Sequence, residues 1–366
     1  MRIFALQLDN DIKGIENRKT YIEDLIRRLP DPDLVVLPEM ALCSYMASQE
    51  AWKYTDENSK DASKWAKDMA RKYDTYIAVG YLDRENYDYY NRYLIASKDE
   101  VYGIISKSEG ESAVFRQGDF GSIISTPFGK VGVAICYDSR RKHFYDNVKD
   151  EELSLILFPH GAPADPEKPE IEHKENDERC MLYVEAFDVP VVYVNSKGSL
   201  EYMPGMMGSM MRKHGFRMNG MSRIYGKDST PIETEIPEAI GVEVTLNPHK
   251  RTKDIKFHGQ DILPGNFIFK HLILKPDTRM GIAMYERNNI RKSIEDGSGY
   301  EDLKEVMTPK QLESRKALIS YAKNHFDQSK EHFMENIVSG ECSDVKDPEA
   351  YKKAYIKFVN EVWDSL

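Results

Sequence analysis

The segment KVGVAICYDSR, residues 130–140, sets the architecture, because a buried strand ends there at a cysteine where the chain must turn. Its apolar residues alternate along a predicted strand, Val131–Ile135, so they point to one face of a sheet. The polar residues after Cys136 predict the start of a helix over 139–149. A thiol at such an elbow lies beside the positive end of the helix dipole, which favours its thiolate form. The pattern indicates a nucleophilic cysteine, although most free cysteines are simply buried core residues.

Short apolar strands alternate with amphipathic stretches along the first 200 residues. This alternation is typical of sheets covered by helices, and 366 residues suffice for one α/β domain of about 250 residues with an appendage. Helices are predicted near 15–29, 58–72, 139–149 and 170–188. Strands are predicted at 3–8, 34–37, 76–82, 92–97, 101–105, 122–126, 131–135, 153–158 and 191–195.

Charge and composition narrow the classes of partner. The formal net charge is -10, so we expect no nucleic-acid partner, since binding phosphates needs an excess of positive charge. The first residues lack the basic start and long apolar run of a signal peptide, and no apolar run reaches membrane-spanning length. We therefore expect a cytoplasmic protein without a membrane partner. The four cysteines, Cys43, Cys136, Cys180 and Cys342, are too scattered to indicate a disulfide framework or a zinc site.

After about residue 265 the sequence becomes long, charged and helical. One helix is predicted to begin at Thr308 and Pro309 and to end near Gly340, with a capping hydroxyl and proline in the first turn. A last helix is predicted to begin at Asp347 and Pro348. Their apolar stripes favour packing against the body or a neighbouring subunit over binding a separate partner helix.

Two further strand ends carry charged side chains. In DLVVLPEMALCSY, residues 33–45, an apolar strand delivers Glu39 to the rim of a sheet, where a raised pKa would suit a general base. In VYGIISKSEGESAVFRQGD, residues 101–119, a strand ends at Lys107, a fixed cation able to stabilise an oxyanion. Taken singly, each would more often be a solvated surface residue. With Cys136 they form a complete set for acyl transfer.

The order of these three residues resembles the nitrilase superfamily, the carbon–nitrogen hydrolases, over roughly residues 1 to 260. Members of the family open with a strand like RIFALQ and carry segments like VVLPE and GVAICYDSR. They also show a helix and strand like ERCMLYVEAFDVPVVYVNSKG, residues 178–198, followed by a strand like GMSRIYG, residues 220–226. The resemblance implies a four-layer α-β-β-α sandwich over 1–262 with a mostly helical extension over 263–366.

The resemblance also implies the roles of the site residues. Glu39 is the implied general base, Lys107 the oxyanion cation and Cys136 the nucleophile. The second glutamate of the family corresponds by spacing to Glu111 rather than to Glu109. No metal or cofactor is implied.

Two further residues are expected to contact the substrate. The backbone N–H of Tyr137 would help Lys107 to hold the developing oxyanion. His160, after another strand end, is a candidate substrate contact, and a structural histidine is the equal alternative.

The expected reaction is cysteine-dependent hydrolysis of a small amide, because Tyr137 and Asp138 follow the nucleophile as they often do in amide-cleaving relatives. N-carbamoyl hydrolysis comes next and nitrile hydrolysis third. An inactive binding scaffold that acts through its helical tail is the alternative from another class, and an unrelated cysteine hydrolase with an aspartate base is less favoured. We expect a small-molecule substrate and a homodimer or larger homo-oligomer.

Two segments depart from the pattern of the family. Only three residues separate Lys107 from Glu111, where relatives usually have a longer excursion, so the pocket wall there is expected to be short. Residues 199–218 resemble an insertion and hold six of the sixteen methionines. Because methionine adapts to irregular apolar surfaces, this Met-rich segment is predicted either to rebuild the wall or to form an oligomer contact.

A run of basic residues follows the nucleophile segment, from Arg140 to His143. Such a run is usually a solvated helix start. The alternative is a basic rim around the pocket that selects anionic substrates.

Overall fold

The computed structural model describes residues 1–85, 88–201, 203–265, 269–295, 309–325, 329–338 and 347–366. The chain divides into two compact units, Met1–Gly281 and Ile282–Leu366, whereas the sequence places a domain boundary after residue 262. That boundary stays a prediction. Thr308, Gly340 and Cys342, which the sequence analysis singled out, lie outside the described residues.

The strands are β1 (Arg2–Leu6), β2 (Leu34–Val36), β3 (Asp56–Glu57), β4 (Tyr76–Glu85), β5 (Asp88–Ala96), β6 (Val101–Ser106), β7 (Ile123–Thr126), β8 (Gly129–Val133), β9 (Glu152–His160), β10 (Pro163–Ala164), β11 (Val191–Asn195), β12 (Lys197–Ser199), β13 (Arg217–Asn219), β14 (Arg223–Tyr225), β15 (Thr230–Ile232), β16 (Ala239–Glu243) and β17 (His249–Lys250). The helices are α1 (Ile15–Arg28), α2 (Lys60–Tyr73), α3 (Lys142–Val148), α4 (Pro169–Phe187), α5 (Gly205–Lys213), α6 (Lys275–Glu295), α7 (Pro309–His325), α8 (Lys330–Phe333) and α9 (Pro348–Ser365). A 3₁₀ turn spans Gln49–Tyr54 and another spans Cys136–Arg140, while π-helical turns span Lys270–Leu274 and Met334–Val338.

Two mixed sheets form the centre of the first unit. In the described residues, one has the strand order β15-β16-β1-β2-β4-β5-β6, with β3 beside β4. The other has the order β14-β11-β9-β8-β7, with β17 beside β9. The strands β1, β2 and β4 run parallel, as do β8, β9 and β11. A small third sheet has the order β10-β13-β12.

Alternation along the strands separates three apolar layers. Ile3 belongs to the cluster between the two sheets, with Val131 and Leu155. Its neighbour Phe4 points to the opposite face and belongs to the cluster that α1 and α2 cover. Helices α3 and α4 cover the outer face of the second sheet through a cluster that includes Phe144. The predicted four-layer α-β-β-α sandwich is therefore confirmed.

The predicted elements match the observed ones closely, and strand β11 has the predicted bounds. The helix predicted from Thr308 to Gly340 is not one helix, because α8 begins separately at Lys330 with Ser329 as its cap. The helix after the cysteine elbow also differs. It was expected over 139–149, but a 3₁₀ turn intervenes and α3 begins at Lys142. Arg141 between them is extended, with φ -103 and ψ 144, and an extended residue cannot continue a helix.

The second unit has its own small core. Side chains from α7, α8 and α9 form one buried cluster that includes Ile319, Phe333 and Tyr355. Asp347 accepts a hydrogen bond from the Ala350 N–H, 3.1 Å away, which confirms the predicted start of the last helix. The apolar stripes of these helices thus pack on one another. Among the described helices, none combines the length and apolar character needed to cross a membrane.

The layer between the sheets is expected to dominate the stability of the first unit. Replacing Leu157, which is fully buried there, with Ala should lower the free energy of unfolding by about 2–5 kcal/mol. Chemical denaturation measures the change. The matched control is Ile171→Ala on α4, where the side chain is 54% exposed, with an expected change within about 0.5 kcal/mol. Equal changes in the two variants would contradict this assignment of the core.

Candidate active site

Three strand ends bring the predicted site residues together. Glu39 follows β2 and Lys107 follows β6, both in the first sheet, while Cys136 follows β8 in the second. The sheets pack face to face through the apolar layer between them. The ends of these strands therefore meet at one edge of the sandwich, where polar side chains can face one another.

Lys107 lies at the centre of a polar cluster that also contains Glu39, Glu111 and Cys136. Its buried ammonium Nζ lies 2.6 Å from Glu39 Oε1 and 2.5 Å from Glu111 Oε2. Burial alone would lower the pKa of Lys107, but the negative charges of Glu111 and Glu39 raise it well above its usual value. The side chain is therefore a permanent cation held between two carboxylates, and the third N–H of its ammonium is left for another acceptor.

Glu39 is fully buried rather than solvated. Its Oε1 accepts hydrogen bonds from Lys107 and from Asn91 Nδ2, 2.7 Å away. Within the described part of the chain, its Oε2 has no hydrogen-bond partner. Burial raises the pKa of Glu39, which the positive charge of Lys107 offsets only in part. The predicted increase in basicity is confirmed, and one carboxylate oxygen is free to accept a proton.

Cys136 is partly exposed, whereas Cys43 and Cys180 are buried. Its backbone has φ 51, a left-handed conformation that is strained for any side chain but glycine and is frequent at functional sites. Glu39, Lys107 and Glu111 all act electrostatically on its thiol, which places the sulfur beside the same cluster.

The ionisation of this thiol differs from the sequence-based expectation. Burial raises the pKa of Cys136, and the charges of Glu39 and Glu111 raise it further, while Lys107 and a hydrogen bond from the Gly161 N–H lower it. The prediction that the elbow favours the thiolate is therefore wrong for the free protein. A short 3₁₀ turn, rather than a regular helix, follows the cysteine. The thiol keeps its proton, so a base must remove it before the sulfur can attack.

Glu111, rather than Glu109, faces the cluster. Its Oε1 accepts a hydrogen bond from the hydroxyl of Tyr45, 2.6 Å away, and its Oε2 contacts Lys107. Glu109 points away and pairs with Arg141 at 2.8 Å. The turn from Glu109 to Glu111 requires a glycine at position 110. Its φ is 109°, and an added Cβ would lie only 3.1 Å from Lys107 Cε. The geometry thus supports the choice of Glu111.

Three supporting residues were not predicted as part of the site. Asn91 and Tyr45 each donate one hydrogen bond to a carboxylate, as described above. Asp138 accepts the backbone N–H groups of Ser108 and Glu109, each at 2.8 Å, and so holds the turn that carries the second glutamate. Asp138 lies in the nucleophile segment, and in the sequence analysis it favoured an amide substrate but was not identified as a residue that supports the turn. Asn91 sits within β5 and has no sequence signal at all.

His160 is engaged on both ring nitrogens. Its Nδ1 lies 2.9 Å from the carbonyl oxygen of Phe158, and its Nε2 lies 3.2 Å from Arg179 Nη2 and 3.3 Å from Ser139 Oγ. Burial, aided by the charge of Arg179, lowers the pKa of His160 well below its usual value. A neutral ring that donates to Phe158 and accepts from Arg179 satisfies this geometry. The geometry favours the structural alternative over a substrate contact.

Tyr137 is partly buried, and the guanidinium of Arg141 lies over its ring at 5.7 Å from the centroid. The role of its backbone N–H as an oxyanion donor stays a prediction. Within the described residues, no group of three or more His, Cys, Asp or Glu side chains has an arrangement that would hold a metal ion.

The basic run after the cysteine does not form a rim of free positive charge. Arg140 pairs with Glu172 and Glu175, at 2.5 and 3.0 Å. Arg141 pairs with Glu109 and Asp261. Lys142 pairs with Asp146, and the imidazole of His143 lies 3.6 Å from Asp138. Because acids face all four side chains, the basic rim considered from the sequence is not supported.

Comparison with known proteins adds a family and a fold. Residues 10–161 match the sequence profile of the carbon–nitrogen hydrolases. The chain is 30% identical over 149 residues to an omega-amidase from Saccharomyces cerevisiae, covering 35% of this chain and 50% of that protein. It is 23% identical over 195 residues to a citrullinase from Francisella tularensis, covering 50% of this chain and 68% of that protein. The chain thus spans only about half the length of the omega-amidase.

The fold has a counterpart among solved structures. A crystal structure of an amidase from Nesterenkonia sp. superimposes with a TM-score of 0.53 at 17% identity, covering 67% of this chain and 90% of that chain. At this identity the likeness concerns the fold alone. It agrees with the sandwich described above.

The charge of Glu39 is expected to control the ionisation of the thiol. Because that charge raises the pKa of Cys136, Glu39→Gln should lower the pH midpoint for alkylation of the thiol by iodoacetamide. Rates measured across pH give the midpoint. Glu109→Gln is the matched control, since Glu109 pairs with Arg141 instead, and it should leave the midpoint unchanged. An unchanged or higher midpoint in Glu39→Gln would contradict the geometry of the cluster.

Asp138 is expected to stabilise the turn that follows Lys107. Asp138→Ala orphans two backbone N–H groups, each at a cost of about 1–3 kcal/mol, whereas Asp138→Asn keeps one acceptor oxygen and should lose about half as much. Denaturation gives the change in the free energy of unfolding. Asp146→Asn weakens only the half-exposed pairs with Lys142 and Lys149 and should stay within about 0.5 kcal/mol. Equal stabilities of the alanine and asparagine variants would count against this role.

Proposed function

Because the chain belongs to the nitrilase superfamily of carbon–nitrogen hydrolases, we propose that it hydrolyses a non-peptide carbon–nitrogen bond of a small amide. The reaction passes through a thioester on Cys136 and releases ammonia or an amine. One observation carries the proposal. The buried carboxylate of Glu39 has one oxygen without a hydrogen-bond partner. It shares the Lys107 cation with the carboxylate of Glu111, and the protonated thiol of Cys136 lies beside them.

In the first step the sulfur of Cys136 forms a bond to the carbonyl carbon of the amide. Glu39 takes the thiol proton on its free Oε2, for which its raised pKa suits it. The electron pair of the carbonyl moves to oxygen, where the remaining N–H of Lys107 and the backbone N–H of Tyr137 would stabilise the oxyanion. The pairing with Glu111 and Glu39 keeps the Lys107 ammonium in place, so little reorganisation is needed.

In the second step the tetrahedral intermediate collapses and the carbon–nitrogen bond breaks. Glu39 returns its proton to the leaving nitrogen, which departs as ammonia or an amine and leaves a thioester. The same carboxylate then removes a proton from water as the water oxygen attacks the thioester carbon. The carbon–sulfur bond breaks, the thiol regains the proton, and the acid is released.

Small amides are the favoured substrates, since Tyr137 and Asp138 follow the nucleophile. An N-carbamoyl compound is the second candidate, and the partial similarity to a citrullinase supports it. An inactive scaffold is less favoured, because burying an unpartnered carboxylate oxygen costs free energy and a scaffold gains nothing from it. A small-molecule partner and a homodimer or larger assembly stay predictions.

Ammonia release from a panel of amides, omega-amides, N-carbamoyl compounds and nitriles tests the proposal. The intact protein should turn over at least one class, and Cys136→Ala should lose that activity by a factor of about 10³ or more. Cys180→Ala, which removes a buried thiol of the cluster beneath α3 and α4, is the matched control and should keep it. If no compound of the panel releases ammonia and Cys136 is also inert to alkylation, the inactive scaffold is favoured instead.

A further inference from the structure

The turn between Lys107 and Glu111 has too few residues to enclose a substrate. Another segment, the start of α6, packs against the outside of this turn. The first two turns of α6, up to Gly281, belong to the first unit and pack on the residues after Glu111. Ser112 Oγ donates to the carbonyl oxygen of Thr278 at 3.1 Å. A Cβ at Gly281 would lie 2.3 Å from Ser112 Oγ and 3.0 Å from the Ala113 nitrogen. The helix and the catalytic turn are thus in direct contact.

The same turns of α6 also contact the Met-rich segment, residues 199–218. The residue before α5, Pro204, has no side-chain oxygen to cap that helix. Asp277 supplies the cap, because its Oδ1 accepts the N–H of Met206 at 2.7 Å. Gly205, with φ 84, lets the chains approach, since a Cβ there would lie 2.6 Å from Asp277 Oδ1. A carboxylate at a helix N-terminus also opposes the helix dipole favourably.

The other end of the Met-rich segment is fixed on the opposite side of the site. Its flanking strands β12 and β13 pair with each other, and β13 pairs with β10, which begins two residues after Gly161. Gly161 lies beside the nucleophile, since its backbone N–H lowers the pKa of the Cys136 thiol. Asn10 Nδ2 also joins the carbonyl oxygens of Tyr45 and Ser199, at 3.1 and 2.8 Å. The segment therefore runs from the nucleophile side of the cluster to the Glu111 side.

We propose that the Met-rich segment and the first turns of α6 form the acyl-binding wall of the site, and that the substrate is an amide with an apolar acyl chain. This inference rests on the proposed function and names its substrate class. Five methionines lie between 203 and 211, and their flexible thioethers adapt to apolar chains of varied shape. The two anchors at opposite sides of the site favour this role over an oligomer contact.

Alkylation of Cys136 by alkyl chloromethyl ketones tests the wall without requiring turnover. The sulfur displaces chloride, a thioether forms, and intact-mass spectrometry follows the rate for methyl, propyl and pentyl ketones. In the intact protein the rate constant should rise about four-fold per methylene, as apolar burial implies. Asp277→Ala removes the cap and should flatten this rise while leaving the methyl ketone rate unchanged. Asp277→Asn keeps an acceptor oxygen and should retain the rise.

A second pair of variants covers the case in which Asp277→Ala fails to fold. Replacing Met206, Met207, Met210 and Met211 with Gln should flatten the dependence on chain length, and replacing the same four with Leu should preserve it. Equal rates for all ketones in the intact protein would overturn the proposal. So would equal slowing of methyl and pentyl ketones in Asp277→Ala, or a glutamine variant that changes only the oligomer size by light scattering.

The two proposals fail in different ways. A length dependence that the variants abolish, without ammonia release from any amide, would support the wall and reject the proposed hydrolysis. Ammonia release from amides with no dependence on chain length, in a protein whose ketone alkylation is also independent of length, would support the hydrolysis and reject the wall.

Discussion

The contact of one buried lysine with two carboxylates determines the electrostatics of the whole site. Lys107 neutralises only one of Glu39 and Glu111, so the cluster keeps a net negative charge in a place where water cannot screen it. Burial raises the pKa of Glu39 despite the nearby lysine, and burial together with the charges of Glu39 and Glu111 raises the pKa of the Cys136 thiol. In the proposed mechanism, the nucleophile is therefore generated by proton transfer to Glu39 when a substrate is present, and is not stored as a thiolate.

A cluster of this kind requires a frame that satisfies almost every polar atom in it. Asn91 and Tyr45 each donate to one carboxylate oxygen, and Asp138 holds the backbone of the turn that carries the second glutamate. These neutral amide and hydroxyl donors compensate the loss of hydration without adding charge. Within the described residues, the buried atoms there that have no hydrogen-bond partner are Glu39 Oε2, Asn91 Oδ1 and Ser108 Oγ. An unpartnered oxygen is destabilising in a folded protein, and its presence at the position of the base is understandable as a site of proton transfer.

Strand bounds and site residues that depend on local sequence pattern could be predicted from the sequence. Properties that depend on tertiary packing could not. A short apolar run predicted β11 with its observed bounds, and the positions at strand ends indicated Glu39, Lys107 and Cys136. The ionisation of the thiol could not be predicted, because it follows from burial and from two carboxylates distant in sequence. Asn91 could not be predicted, because nothing in its local sequence distinguishes it from other strand residues. Only the pairing of β5 with β6 brings it beside Lys107, whose backbone N–H donates to the Asn91 carbonyl at 2.8 Å. The cap of α5 by Asp277 joins residues 71 positions apart, beyond any local rule.

The short catalytic turn has a consequence for how reactivity and specificity are divided. Because Lys107 and Glu111 are only four residues apart and Gly110 is pressed against the lysine, this turn leaves little chain to line a substrate. The turn therefore cannot also supply a variable wall. In the proposal, chain from elsewhere encloses the substrate, namely α5 and the start of α6, of which α6 contacts the turn at Ser112. Changes in those segments can alter the space for an acyl group while the proton chemistry at Glu39 stays the same.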